Sequence, residues 1–144
     1  PGQPLRRCGN LGVIGNWLWR ITGPGSLRRA AARDASQPTV IPDLEKRMAD
    51  ETARRGYLRS VLSAHRETLA IDLENLHRDL GKTGIPVLAI WAGDDQVIPL
   101  TAMGKMTQWN RTARHHVVEG VGHALPHAAP NEIITAITTF FREV

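Results

Sequence analysis

With 144 residues, 42% of them hydrophobic and 22% charged, the chain has enough apolar material for one buried core and an ordinary globular composition. Its net charge of +4 is mild and comes largely from arginines dispersed through the first half, which argues against a nucleic-acid partner. No apolar run approaches the length of a membrane span, no signal peptide is visible, and the single cysteine, Cys8, cannot form an internal disulfide, so a cytoplasmic protein is expected.

Pro1 to Asn10 is rich in glycine, proline and arginine and reads as a loop. Val13, Ile14, Trp17, Leu18 and Ile21 fall at helical spacing, predicting a helix over 11–21 that Gly23-Pro24-Gly25 stops. Ser26 is placed to cap a short basic helix reaching about Arg33, with Arg28, Arg29 and Arg33 on one solvated face. Gln37 to Pro42 reads as a linker. Asp43 is placed to cap a helix from Leu44 to about Arg55, ended by Gly56. From Tyr57 a broken helical pattern runs to Leu80, and Gly81 and Gly84 flank a turn.

The stretch Ile85 to Pro99, I-P-V-L-A-I-W-A-G-D-D-Q-V-I-P, changes the pattern. Val87 to Trp91 is a short apolar run bounded by turn signals, the mark of a parallel strand buried on both faces. Asp94 and Asp95 follow at once, and the end of a parallel strand is where open α/β sheets place their chemistry. A helix is expected over 101–109, a strand over 114–118, and a loop over 119–130 holding Gly122-His123. Pro130 and Asn131 then open a helix whose Ile133, Ile134, Ile137, Phe140, Phe141 and Val144 share a face. Strand, helix, strand, helix predicts an α/β arrangement over 81–144, with an all-helical region over 1–80.

The D-x-V-I-P ending on an apolar strand, followed by the G-H-A-L-P-H-A-A-P turn, resembles the acid and histidine turns of the α/β-hydrolase family. The resemblance covers residues 85–144 well and the first 80 loosely, as the helical cap of that family. It implies the C-terminal part of a doubly wound α/β-hydrolase sheet preceded by a cap. It also implies hydrolysis of a small-molecule ester or related acyl bond, with Asp95 and His123 as two members of a Ser-His-Asp triad and Trp17 and Trp19 near the mouth of an acyl pocket. Registration on Val97-Ile98-Pro99 selects Asp95, with Asp94 as the alternative. The family's usual glutamate after the histidine is replaced at Ala128 or Ala129, and Ala92 stands where the family often has glycine.

No G-x-S-x-G elbow is present, and Ser26, Ser36, Ser60 and Ser63 lie in no such turn. The nucleophile is therefore expected upstream of Pro1, and the chain alone is expected to be inactive on esters and to self-associate. An epoxide hydrolase or dehalogenase with an aspartate nucleophile, and a non-enzymatic fragment or scaffold, remain open. No cofactor and no metal are expected. Pro126 argues against a helix presenting His123 and His127 together, and His115 and His116 alternate across a strand.

Overall fold

The computed structural model describes residues 12–36 and 38–144. Pro1 to Leu11, with Cys8, and Gln37 at the head of the expected linker lie outside the described residues. The fold class expected from the sequence is overturned. The described residues are mostly helical, and their one sheet has two strands, so this is not the doubly wound sheet of an α/β-hydrolase.

The helices are α1 (Gly12–Ala35), α2 (Leu44–Ala53), α3 (Tyr57–Arg66), α4 (Glu74–Lys82), α5 (Thr101–Trp109), α6 (Leu125–Ala128) and α7 (Pro130–Glu143), with a 3-10 turn at Thr68–Ala70. The strands β1 (Leu88–Ala92) and β2 (Arg114–Val118) flank α5. Contacts divide the chain into two compact units, one ending at Ile71 and containing α1 to α3, the other beginning at Asp72 and including residues 38–40. The division lies ahead of the Gly81–Gly84 turn because α4 packs on α5.

In the first unit, α1 runs straight through the glycines expected to stop it, with Pro24 inside. Gly23 acts as a notch rather than a breaker. A Cβ there would stand 2.8 Å from Trp19 Cε2 and 3.1 Å from Leu58 Cδ2. One turn back on the same face, Trp19 folds its indole over that notch and is 2% exposed. Its Nε1–H donates to the Leu58 carbonyl at 2.8 Å. Leu62, Leu18, Leu27, Leu58 and Val61 complete this core.

Asp43 does precede α2, but its side chain caps nothing. Its backbone is left-handed, with φ 55°, and its carbonyl accepts from Arg47 N–H. Gly56, with φ 93°, supplies the left-handed turn between α2 and α3 that a side chain would strain.

The second unit is built on the parallel pair β1–β2, in register from Leu88↔Arg114 to Ala92↔Val118. Its core is Ala92, Val118, Leu125 and Ala129, with Ile90, Val121 and Ile133 packed against it. The expected burial of β1 on both faces is corrected. Only Ala92 is buried and the other residues of β1 are half-buried, because β2 is the sole strand beside it among the described residues. The apolar face expected of α7 is also only partly used: Ala136 and Phe140 are buried, while Ile134 and Phe141 stand 60% and 71% exposed. Within the expected 119–130 loop, Pro126 sits in the first turn of short α6, where a missing N–H costs nothing. Thr39 Oγ1 and Val40 N–H both donate to the His127 carbonyl, tying residues 38–40 to α6.

Asn110, 1% exposed, makes the turn from α5 into β2. Its Oδ1 accepts from Thr112 N–H at 3.1 Å and Thr112 Oγ1 at 2.7 Å, with the Gly81 backbone close against it. Replacing it by alanine strands a donor and opens a gap, so Asn110→Ala should cost about 1–3 kcal/mol. Urea unfolding followed by circular dichroism measures this, and an unchanged midpoint would remove Asn110 from the account.

Candidate active site

Two turns leave the same end of the parallel pair, one after β1 and one after β2. They are stapled by Gly93 N–H to the Val118 carbonyl at 2.8 Å and Asp94 N–H to the Val121 carbonyl at 2.9 Å. Gly93 is what lets them lie so close: a Cβ there would meet Glu119 Oε2 at 2.5 Å and Glu119 Cα at 3.2 Å. The glutamate could swing aside, but the backbone behind it could not. The glycine at this position thus has a steric reason of its own.

The staples bring Asp95 and His123 together, with His123 Nδ1 3.0 Å from Asp95 Oδ2. The other carboxylate oxygen is fixed by the backbone of its own turn. Asp95 Oδ1 accepts from Val97 N–H at 2.7 Å and Ile98 N–H at 2.9 Å. Val97-Ile98-Pro99, the stretch used to register the motif, is therefore what holds the acid in place. The Asp95 side chain is 10% exposed and that of His123 is 39% exposed. With Nδ1–H directed at the carboxylate, the unprotonated Nε2 is left as a base, and among the described residues it has no hydrogen-bond partner. Asp94, the alternative acid, is exposed and joins its turn through its backbone.

Partial burial by itself would raise the Asp95 carboxyl. The Ile98 N–H, the His123 ring and the Val97 N–H, together with the charge His123 can carry, outweigh it and hold the group below its ordinary value of 3.8. Between the lowered and the ordinary value the unfolded chain binds the extra proton, so stability there rises with pH. Asp95's contribution is thus fully present only well above the ordinary value of 3.8 and is lost as the pH falls through the lowered value. Asp95→Asn should be less stable than the parent at pH 7, and the gap should narrow as the pH falls below 3.8, read as urea midpoints. A gap that stays the same size throughout an acid series would contradict this.

A second cluster was not foreseen from the sequence. Trp91 Nε1–H donates to His115 Nδ1 at 3.0 Å, and His115 Nε2 lies 3.1 Å from Thr107 Oγ1. Accepting on Nδ1 puts the ring proton on Nε2, where it donates to the Thr107 hydroxyl, which in turn donates to the Met103 carbonyl at 2.9 Å. The chain joins β1, β2 and α5 beneath the two turns, and His115 is committed to that structural task. His116 is exposed, as strand alternation expects.

His77 stacks on Trp109, with centroids 6.0 Å apart. No three His, Cys, Asp or Glu side chains among the described residues converge as metal ligands. No helix among them is long and apolar enough to cross a membrane. Of the tryptophans expected near an acyl pocket, Trp19 is core and Trp17 is exposed. All four serines lie in the first 71 residues and none in the unit that carries Asp95 and His123.

Compared with known proteins, the chain matches no protein-family model and no curated protein.

Proposed function

We propose that Asp95 and His123 are the acid and the base of a cytoplasmic hydrolase acting on a small-molecule ester or related acyl bond. The observation that carries this reading is the carboxylate anchored at one oxygen by two backbone N–H groups and turned at the other toward His123 Nδ1. Such a carboxylate orients the ring, selects the tautomer that leaves Nε2 free, and stabilises the cation formed when Nε2 takes a proton. The similarity of the two turns to those of α/β-hydrolases supports it independently.

In this reading Nε2 removes the proton of a serine hydroxyl as its oxygen bonds to the acyl carbon, then returns that proton to the departing alcohol. It next takes a proton from water, whose oxygen attacks the acyl-serine, and returns it to the serine as the acid leaves. The unit bearing the pair has no serine, so the nucleophile belongs to another part of the protein.

The test is expression of the whole reading frame, with hydrolysis of short-chain nitrophenyl esters and labelling by a fluorophosphonate. Turnover and a single labelled serine in a G-x-S-x-G turn are expected. A folded full-length protein showing neither would end the acyl-serine reading.

A further inference from the structure

The first unit carries a cavity of about 810 Å³ between α1, the end of α2 and the start of α3. Its apolar wall includes Val13, Trp17, Leu58 and Leu62. Trp17 and Val13 turn 62% and 84% of their surface to solvent, whereas Trp19 and Leu62, which also border the cavity, are buried. The polar lining has one sign: Arg20, Arg54, Arg55 and Arg59 border the cavity and no carboxylate does. Arg54 is partly satisfied by Glu51 at 3.2 Å. Arg20, Arg55 and Arg59 have no ion-pair partner among the described residues. Arg59 also borders an adjoining smaller cavity, whose polar lining is mixed: Ser60 and Ser63 with Arg66 and Glu67.

An apolar wall and a carboxylate-free arginine rim are complementary to opposite ends of one molecule. The volume lies within the range of about 300–1,000 Å³ usual for small-molecule sites. A flat membrane surface would engage the rim but leave the concave wall unfilled. A free inorganic anion would use only the rim, where exposed arginines hold anions weakly. We infer that this cavity binds a single-chain amphiphile with an anionic head, the chain against Trp17 and Leu58 and the carboxylate or phosphate between Arg55 and Arg59. The inference stands on the first unit alone and is independent of the Asp95–His123 reading.

The experiment is calorimetric titration of the 144-residue chain with decanoate below its micelle concentration, beside decan-1-ol and inorganic phosphate, with vesicles of anionic phospholipid as a separate arm. Saturable one-to-one binding of decanoate, at least about tenfold tighter than decanol, is expected for a head held by charge-assisted hydrogen bonds. The double variant Arg55→Gln/Arg59→Gln should lose that advantage. Arg28→Gln/Arg29→Gln, exposed on α1 but away from the cavity, should keep it. Trp17→Ala should weaken decanoate and decanol alike. Equal affinity for decanoate and decanol, binding to vesicles alone, binding of phosphate as tight as that of decanoate, or no binding at all would each overturn the proposal. So would a folded Arg55→Gln/Arg59→Gln chain that binds decanoate as the parent does.

Discussion

His123→Ala in the full-length protein should lower kcat on short-chain esters by at least about a thousandfold while leaving KM and the circular dichroism spectrum unchanged. Acid–base assistance of this kind contributes about 10²–10⁴-fold per step, and the same ring serves both halves of the acyl cycle. The fold should survive, since His123 is 39% exposed and its one described hydrogen bond is to Asp95. Asp95→Asn probes the same pair differently. An amide can still accept from Val97 and Ile98, but its NH₂ end favours the tautomer that puts the proton on Nε2. The expected loss is about 10⁴-fold, the size of the same change in a serine-protease triad. Asp94→Asn should be nearly silent, because Asp94 is exposed and holds its turn by its backbone. Near-normal turnover by folded His123→Ala would remove the histidine from the chemistry. A larger loss at Asp94 than at Asp95 would shift the acid by one residue.

The second large effect concerns stability. Trp19→Ala should destabilise the first unit by about 3–5 kcal/mol, the usual cost of deleting a buried aromatic side chain. Against the 5–15 kcal/mol of a typical domain this is a large fraction of the whole stability. Gly23, shaped to the indole, cannot close the resulting gap, and the Leu58 carbonyl loses its indole donor. Trp19→Phe, which keeps most of the ring and loses the hydrogen bond, should cost about 1–2 kcal/mol. Denaturant unfolding followed by far-ultraviolet circular dichroism reads both. A loss below about 1 kcal/mol for alanine would mean that the core is elsewhere.

What the sequence disclosed depended on how local its cause was. The bounds of α5 and β2 were legible to the residue, because apolar periodicity and flanking turn residues decide them locally. The pairing of Asp95 with His123 was legible through motif spacing, which records a contact the periodicity does not. Gly23-Pro24-Gly25 misled because a glycine's tolerance of turns is a local property, whereas its use as a notch for Trp19 and Leu58 depends on a helix that arrives later in the chain. Asp43 misled for a similar reason, since its left-handed backbone takes its side chain off the helix end. The Trp91–His115–Thr107 chain left no signal at all, because its three members come from three elements with no common spacing. The extent of the sheet was overread: an apolar strand speaks of what it prefers to be covered by, and not of what covers it.

The parallel register of β1 and β2 also bears on how the pair of side chains comes into being. Leu88 meets Arg114 only after the whole of α5 and its connections have been looped back, a closure that costs entropy before any strand contact returns it. Helices such as α7 form from neighbouring residues and need no such loop, so they are the fast events, and the sheet is the slow one. Asp95 and His123 hang from the far end of that sheet, so helical content should form before that carboxylate meets that ring. Unfolding runs the same relation backwards: loosening of two strands, with most helices intact, is enough to part the carboxylate from the ring. The Asp95–His123 contact should therefore be lost before the main helical signal, making the His123 ring resonances the more sensitive gauge of this unit's integrity.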